Sequence, residues 1–239
     1  MWKLDGGTTA ELTKTGDYTP PTYPAAMYVV GAATSYGWPT ANPNENANAI
    51  MHKCAGGAPT EGIFWKICYL TANEGFKITA AGWSDPNLGF AEVSEFDANG
   101  VTVTSNSGNM QVATSGMYMI VLNLRDGLKK VSIIAPEVYG MGDCFGGWTE
   151  DVPANKFTVN NTDKTLVSPA IGTTGTIRSY VHHAWIPAWW NAEFVINGTA
   201  IEYRNDSGSD PTAVSGAVGN VITYHFDDNT GTLATPPTK

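Results

Sequence analysis

Two tryptophans, Trp38 and Trp148, each follow a glycine at the end of a small polar loop that itself opens on a glycine. The first copy runs from Met27-Tyr-Val-Val-Gly31 to Gly37-Trp38, and the second from Val138-Tyr-Gly-Met-Gly142 to Gly147-Trp148, about 110 residues later. Such a tryptophan sits on a loop just past a short apolar strand, where recognition residues collect. Its indole offers a flat apolar face, at about 25 cal/mol per Å² of surface removed from water, and one N–H donor. The chemistry on offer is stacking and hydrogen bonding rather than bond cleavage.

The reactive residue types are poorly placed by comparison. His182 and His183 alternate faces on a strand, and with His225 they lack the geometry of a metal site. The stretch Asp227-Asp-Asn-Thr-Gly231 lacks the terminal Glu of a calcium loop and suits a hairpin turn. Asp143 and Glu150 flank Trp148, yet glycoside cleavage needs two carboxylates on either side of the bond. Both lie on one short loop, and the first copy has no match for Asp143. No Gly-x-Ser-x-Gly elbow, phosphate loop or dinucleotide fingerprint occurs. Neither catalysis nor a cofactor is expected. Cys54, Cys68 and Cys144 are an odd number without CxxC spacing. Pairing of Cys54 with Cys68 is open, but three buried thiols are the simpler expectation.

The elements that must position these residues are strands. Gly 26, Pro 14 and 11% aromatic content in 239 residues suit short strands joined by tight turns. Period-2 alternation marks Ile63-Phe-Trp-Lys-Ile-Cys-Tyr-Leu70, Phe76-Lys-Ile-Thr79 and Val101-Thr-Val-Thr104. Gly116–Leu124 turns at Arg125-Asp-Gly127 into Lys129–Ile134, the strongest hairpin signal in the chain. In the second half, Ile177–His183 and Ala192–Asn197 precede Val221–Phe226, which turns into Thr232–Thr235. Phe76-Lys-Ile reads as the counterpart of Phe194-Val-Ile, and the two terminal hairpins correspond. No segment of ten or more residues has a helical period. A repeat of this size is a whole domain. The expectation is an all-β chain of two tandem immunoglobulin-like β-sandwiches, residues 23–135 and 136–239. Residues 1–22, rich in Gly, Thr and Pro, read as a linker or the tail of an upstream domain.

Charge narrows the partner. Only 15% of residues are charged and the formal net charge is −9. Residues 1–135 carry 8 basic and 11 acidic groups, and residues 136–239 carry 5 and 11. Neither half suits nucleic acid or an anionic membrane surface, both of which reward Lys and Arg patches. An uncharged ligand is expected. No run of 18 apolar residues suggests a membrane-spanning helix, and Met1-Trp-Lys-Leu-Asp-Gly-Gly7 lacks the features of a signal peptide.

With the Gly…Gly-Trp opening, the Phe-Lys-Ile strand before Trp83 and the terminal hairpin laid out twice, the chain resembles the SusE/SusF-type outer-membrane glycan-binding lipoproteins. The resemblance covers residues from about 23 to 235. It implies tandem carbohydrate-binding modules that hold starch or a related polysaccharide or oligosaccharide without cleaving it. It also implies a cell-surface location through a lipid anchor, an N-terminal domain upstream, and possible partnership with other outer-membrane glycan-uptake components. A monomer is expected. In such modules two aromatics and a Lys or Arg hold the sugar. Trp38 and Trp148 fit the first aromatic position, Trp83 and the pair Trp189-Trp190 the second, and Lys77 and Arg204 the cation. Val195 then stands where the first module has Lys77. Trp185 is a further candidate in the aromatic stretch Trp185-Ile-Pro-Ala-Trp189-Trp190.

Each candidate has a structural alternative. Lys77 alternates with Phe76 and Ile78 and so points outward, where it is also an ordinary solvated lysine. Trp65 shares parity with Ile67 and Tyr69 and belongs to the core. Trp190 has the parity of Phe194 and would face inward on a regular strand, but Pro187 makes an irregular entry plausible, so one of Trp189 and Trp190 is exposed. Arg204, just before a turn, is otherwise half of a surface ion pair. An adhesion sandwich with all its tryptophans in the core, or an accessory region of a glycoside hydrolase, are the competing classes. If one module binds, the second is expected to.

Overall fold

The structure, a computed structural model, describes residues 21–204 and 208–235. The expected linker therefore lies outside the described residues except for its last two positions. The N-terminal half holds β1 (Met27–Gly31), β2 (His52–Lys53), β3 (Ile63–Leu70), β4 (Phe76–Ala80), β5 (Asn87–Leu88), β6 (Glu95–Asp97), β7 (Val103–Asn106), β8 (Asn109–Val112), β9 (Gly116–Asn123) and β10 (Lys130–Ile134). The C-terminal half holds β11 (Val138–Met141), β12 (Thr158–Asn160), β13 (Thr165–Val167), β14 (Gly175–Val181), β15 (Glu193–Asn197), β16 (Ala200–Tyr203), β17 (Val214–Gly216), β18 (Val221–His225) and β19 (Thr230–Ala234). The only helical elements among the described residues are short 3-10 turns.

In the first half, the sheet β1-β4-β8-β7, with β5 on β4, faces the sheet β2-β3-β9-β10-β6. Phe64, Cys68, Phe76, Ile78, Ile120 and Leu122 fill the space between them. In the second half the strands run β11-β14-β15-β16-β19-β18-β13-β12, with β17 on β14. The β16–β19 junction rests on a single pair, Ala200↔Thr230. There the sheet folds over on itself, and Phe194 of β15 meets Tyr224 of β18 edge-on at 5.1 Å. Each half is thus a β-sandwich.

The two sandwiches share apolar surface. Strand β3 is apolar at seven of its eight positions and buried along nearly its whole length. A strand covered on both faces loses strict alternation. Phe64 and Cys68 serve the first core, while Ile63, Trp65 and Ile67 join a cluster with Phe194, Ile196 and Ile201 of the second half. Trp65 is buried, as its parity predicts, but its ring meets Phe194 and Tyr203 at 5.7 Å in the other half. Truncating such a tryptophan costs about 3–5 kcal/mol. Lys66, the polar exception, is buried and donates to the carbonyls of Asn48 (2.6 Å) and Ile50 (3.2 Å). Burial lowers its pKa to about 8. The turn after β18 docks into the first half, where the Asp227 carboxylate accepts the Tyr69 N–H at 3.0 Å. Cys54, Cys68 and Cys144 are all free and buried, so the Cys54–Cys68 pairing left open above is not formed.

Candidate functional site

The two Gly…Gly-Trp loops are built alike. Gly31 bridges to Gly37 and Gly142 to Gly147, closing each loop on itself before its tryptophan. A Cβ at Gly31 would lie 2.3 Å from the Gly75 carbonyl, and one at Gly142 would lie 2.6 Å from that of Thr176. Both also have positive φ, 142° and 100°. No other residue type satisfies the space and the dihedral together, which explains the repeated spacing. Asp143, one of the two acids beside Trp148, is held in this loop: its Oδ2 accepts the Thr176 hydroxyl at 2.9 Å.

In the second half the loop delivers Trp148 to the surface, 53% exposed. Its ring meets that of Trp189 at 5.8 Å with the planes 48° apart, forming an open cradle. Trp189 in turn stands edge-on over Tyr180 at 6.4 Å, and Tyr180 stacks on its cross-strand partner Tyr139 at 5.8 Å. Polar groups rim this platform. Asp151 accepts the Tyr180 hydroxyl and lies 2.8 Å from His182. Lys156 sits over the Tyr139 ring and pairs with Glu137 at 2.6 Å. Burial, reinforced by Glu137, pushes the Tyr139 phenol up to about 12, and burial raises Tyr180 further.

Beneath the loop lies a charged row. Glu193 is fully buried, with Arg178 Nε at 2.7 Å from one oxygen and Arg204 Nε at 2.7 Å from the other. Arg204 also pairs with Asp210. Burial raises the Glu193 pKa, while the two guanidiniums pull it back. Arg204, expected as a sugar-facing cation or half of a surface pair, is instead buried in this network. A lone buried carboxylate is costly, and the two cations compensate its charge, Arg204 also donating a hydrogen bond to Oε2.

Strand register corrects the correspondence drawn from sequence. β1 pairs β4 with Val30 opposite Lys77, and β11 pairs β14 with Met141 opposite Arg178. Gly31 and Gly142 occupy the same step in the two loops, so Arg178 stands where Lys77 does. Val195 lies one strand further, on β15. The two halves therefore both carry a cation at this position. Only the strand pairing shows this: counting back along β14 from its pairing with the Gly-Trp strand finds Arg178. The same register sets Tyr28 opposite Thr79 where the second half has Tyr139 opposite Tyr180.

The first-half site is sparser. Trp38 is 43% exposed, but no ring contact joins it to Trp83 among the described residues. Trp83 packs against Tyr28, Val30 and Ala49, and its Nε1–H is spent on the Ala41 carbonyl at 3.1 Å. Lys77 is half-buried. Of the remaining candidates, Trp185 stands edge-on to buried His183 at 4.9 Å and packs on the cluster joining the halves. Trp189 and Trp190 lie on a 3-10 turn, Trp189–Ala192, ahead of β15, so the strand parity that would send Trp190 inward does not apply. Asn191, unnoticed in the sequence, is buried and ties this turn to the first half. Its Nδ2 donates to the Ala55 carbonyl at 2.8 Å, and its own carbonyl accepts the Ala55 N–H at 2.8 Å.

In the second half, paired indoles at the surface of a β-sandwich form an aromatic platform of the kind that stacks on sugar rings. Residues 137–232 match the family described as SusF/SusE starch specific CBMs. The chain is 32% identical over 217 residues to the outer membrane protein SusF of Bacteroides thetaiotaomicron, across 88% of this chain and 43% of that protein. It superposes on the crystal structure of SusF from the same organism with a TM-score of 0.77 at 29% identity, across 89% of this chain and 48% of the other. The resemblance seen in the sequence thus extends over both sandwiches. The chain spans about half the length of the relatives it matches.

Proposed function

We propose that this chain captures a starch-like α-glucan at the outer-membrane cell surface and does not cleave it. The Trp148–Trp189 cradle carries this reading: two indoles 48° apart, Trp148 exposed and Trp189 half-buried, match the curved apolar faces of adjacent pyranose rings. The polar rim of Asp151, His182 and Lys156 supplies donors and acceptors for sugar hydroxyls. The family of residues 137–232, starch-specific by description, supports the ligand class, and the name of the SusF relative supports the location. Residues 23–135 and 136–239 are proposed as two modules, the first a weaker site built on Trp38, Trp83 and Lys77. Both would engage one polymer, where effective concentration raises avidity. Partnership with other outer-membrane glycan-uptake proteins, and a monomeric state, belong to the same proposal.

Affinity electrophoresis in gels containing a panel of polysaccharides tests the reading. Retardation in starch or amylopectin is expected, and migration unchanged in every glycan would overturn it. Reducing-sugar release on prolonged incubation with the same glucans is expected to stay at background. Appreciable release would show that the chain is a hydrolase.

A further inference from the structure

Trp190 is the one large exposed aromatic of the second half that the cradle leaves unused. It is 36% exposed, and its ring lies over the Arg204 guanidinium, 5.7 Å from the centroid. That cation is itself immobilised by buried Glu193 and by Asp210. A second restraint comes from the first half, where a Cβ at Gly56 would come within 3.1 Å of the Trp190 ring edge. An indole backed by a fixed cation and pinned at its edge loses little freedom when a ligand covers its open face.

Its place relative to the cradle follows from strand pairing. Tyr180 of β14 is opposite Glu193 of β15, and the Arg204 N–H donates to the Glu193 carbonyl, so the three residues form one row across three strands. Trp189 stands over Tyr180 at one end of the row, and Trp190 over Arg204 at the other. The two ends are two strand spacings apart, about 10 Å. We infer that Trp190 is an additional stacking subsite, which extends the Trp148–Trp189 cradle toward the first half and makes the second site favour longer linear glucans. The inference rests on the proposed glucan binding and names the length preference of that same site.

The test is calorimetric titration of the full chain, carrying Trp38→Ala to silence the first half, with maltotriose and maltoheptaose. Binding of maltoheptaose is expected to weaken about fivefold in Trp190→Leu, the loss of one modest stacking contact, with maltotriose unchanged within about twofold. Leucine keeps apolar volume against Gly56 but offers no flat face. Trp190→Phe, with a smaller ring, is expected to fall between, and guards against a leucine variant that folds poorly. Trp189→Leu should weaken both oligosaccharides alike. Equal losses for both sugars in Trp190→Leu, or no loss for either, would overturn the subsite while leaving glucan binding intact. Failure of the parent chain to bind either sugar would instead overturn the functional reading.

Discussion

The two halves carry the same glycine-closed loop and the same strand pair beneath it, yet they present different surfaces. In the second half Trp148 meets Trp189, and Trp189 rests on Tyr180 and Tyr139. In the first half Thr79 stands where Tyr180 does, and Trp83 settles onto Tyr28 and Val30 with its N–H committed to Ala41. The cause is the loop that brings the second tryptophan. Between β4 and β5 it is short and lies under the segment around Ala41. Between β14 and β15 it is longer and is held from outside, by Asn191 bonded to Ala55 of the other half. A duplicated scaffold thus yields an open cradle only where its loop has an external anchor.

The largest expected effect separates the halves directly. Trp148→Ala and Trp189→Ala should each remove about 2 kcal/mol of stacking, roughly thirtyfold in affinity for starch by gel retardation. Trp148 is mostly exposed, so its variant should keep the parent melting temperature. If Trp38→Ala causes the greater loss, the ranking of the two sites is wrong.

Asn191→Ala attacks the anchor rather than the platform. It removes the Asn191 amide from the Ala55 carbonyl, which keeps the Thr60 hydroxyl at 2.7 Å, and takes the acceptor from the Ala188 N–H, at about 0.5–1.5 kcal/mol of stability for each hydrogen bond lost. The released turn should also weaken starch retention several-fold, less than removing a tryptophan does. Asn191→Asp, isosteric but unable to donate to the Ala55 carbonyl, should weaken retention similarly. Unchanged retention in both variants, with the melting temperature lowered, would mean that the turn holds its shape without the first half.

Much of this was legible in the sequence, for reasons particular residues make plain. The hairpins at Arg125–Gly127 and after Asp227 announce themselves through turn residues between apolar runs, and β9–β10 and β18–β19 form there. The Gly-Trp loops were visible because each needs two glycines, the first (Gly31, Gly142) for space as well as dihedral and the second (Gly37, Gly147) for its positive φ. The cation correspondence was not, because Phe-x-Ile recurs at Phe76 and Phe194 on strands that occupy different places in the two sheets. Local likeness does not report pairing, and pairing decides which side chain reaches the site. Arg204 was misjudged for a related reason: its partner Glu193 is eleven residues earlier and one strand across. Trp65 was assigned to a core correctly, but nothing in its own strand indicated that the core belongs to both halves.

A smaller effect probes whether the first half contributes at all. Trp38→Ala should leave maltoheptaose affinity at the stronger site unchanged and lower retention on starch about twofold, since only a polymer engages both halves. An equal loss on the oligosaccharide and the polymer would place Trp38 in a site that acts alone.

The smallest expected effect is a null result with a defined limit. An ordinary tyrosine ionises near pH 10, and a phenolate at Tyr139 or Tyr180 would put charge into the platform on which Trp189 rests. Burial holds the Tyr139 phenol at about 12 and Tyr180 above that, so both stay neutral through pH 10.5. Starch retention per folded molecule should therefore be flat from pH 7 to about 10.5. Stability should not be flat. These phenols keep their protons in the folded state after the unfolded chain has released them, so their contribution is complete below pH 10 and is lost as pH rises from there toward the folded values. Retention that falls in step with an absorbance signal of tyrosine ionisation below pH 10.5, while the chain remains folded, would show that the aromatic floor is wetter than the packing of Trp189 implies.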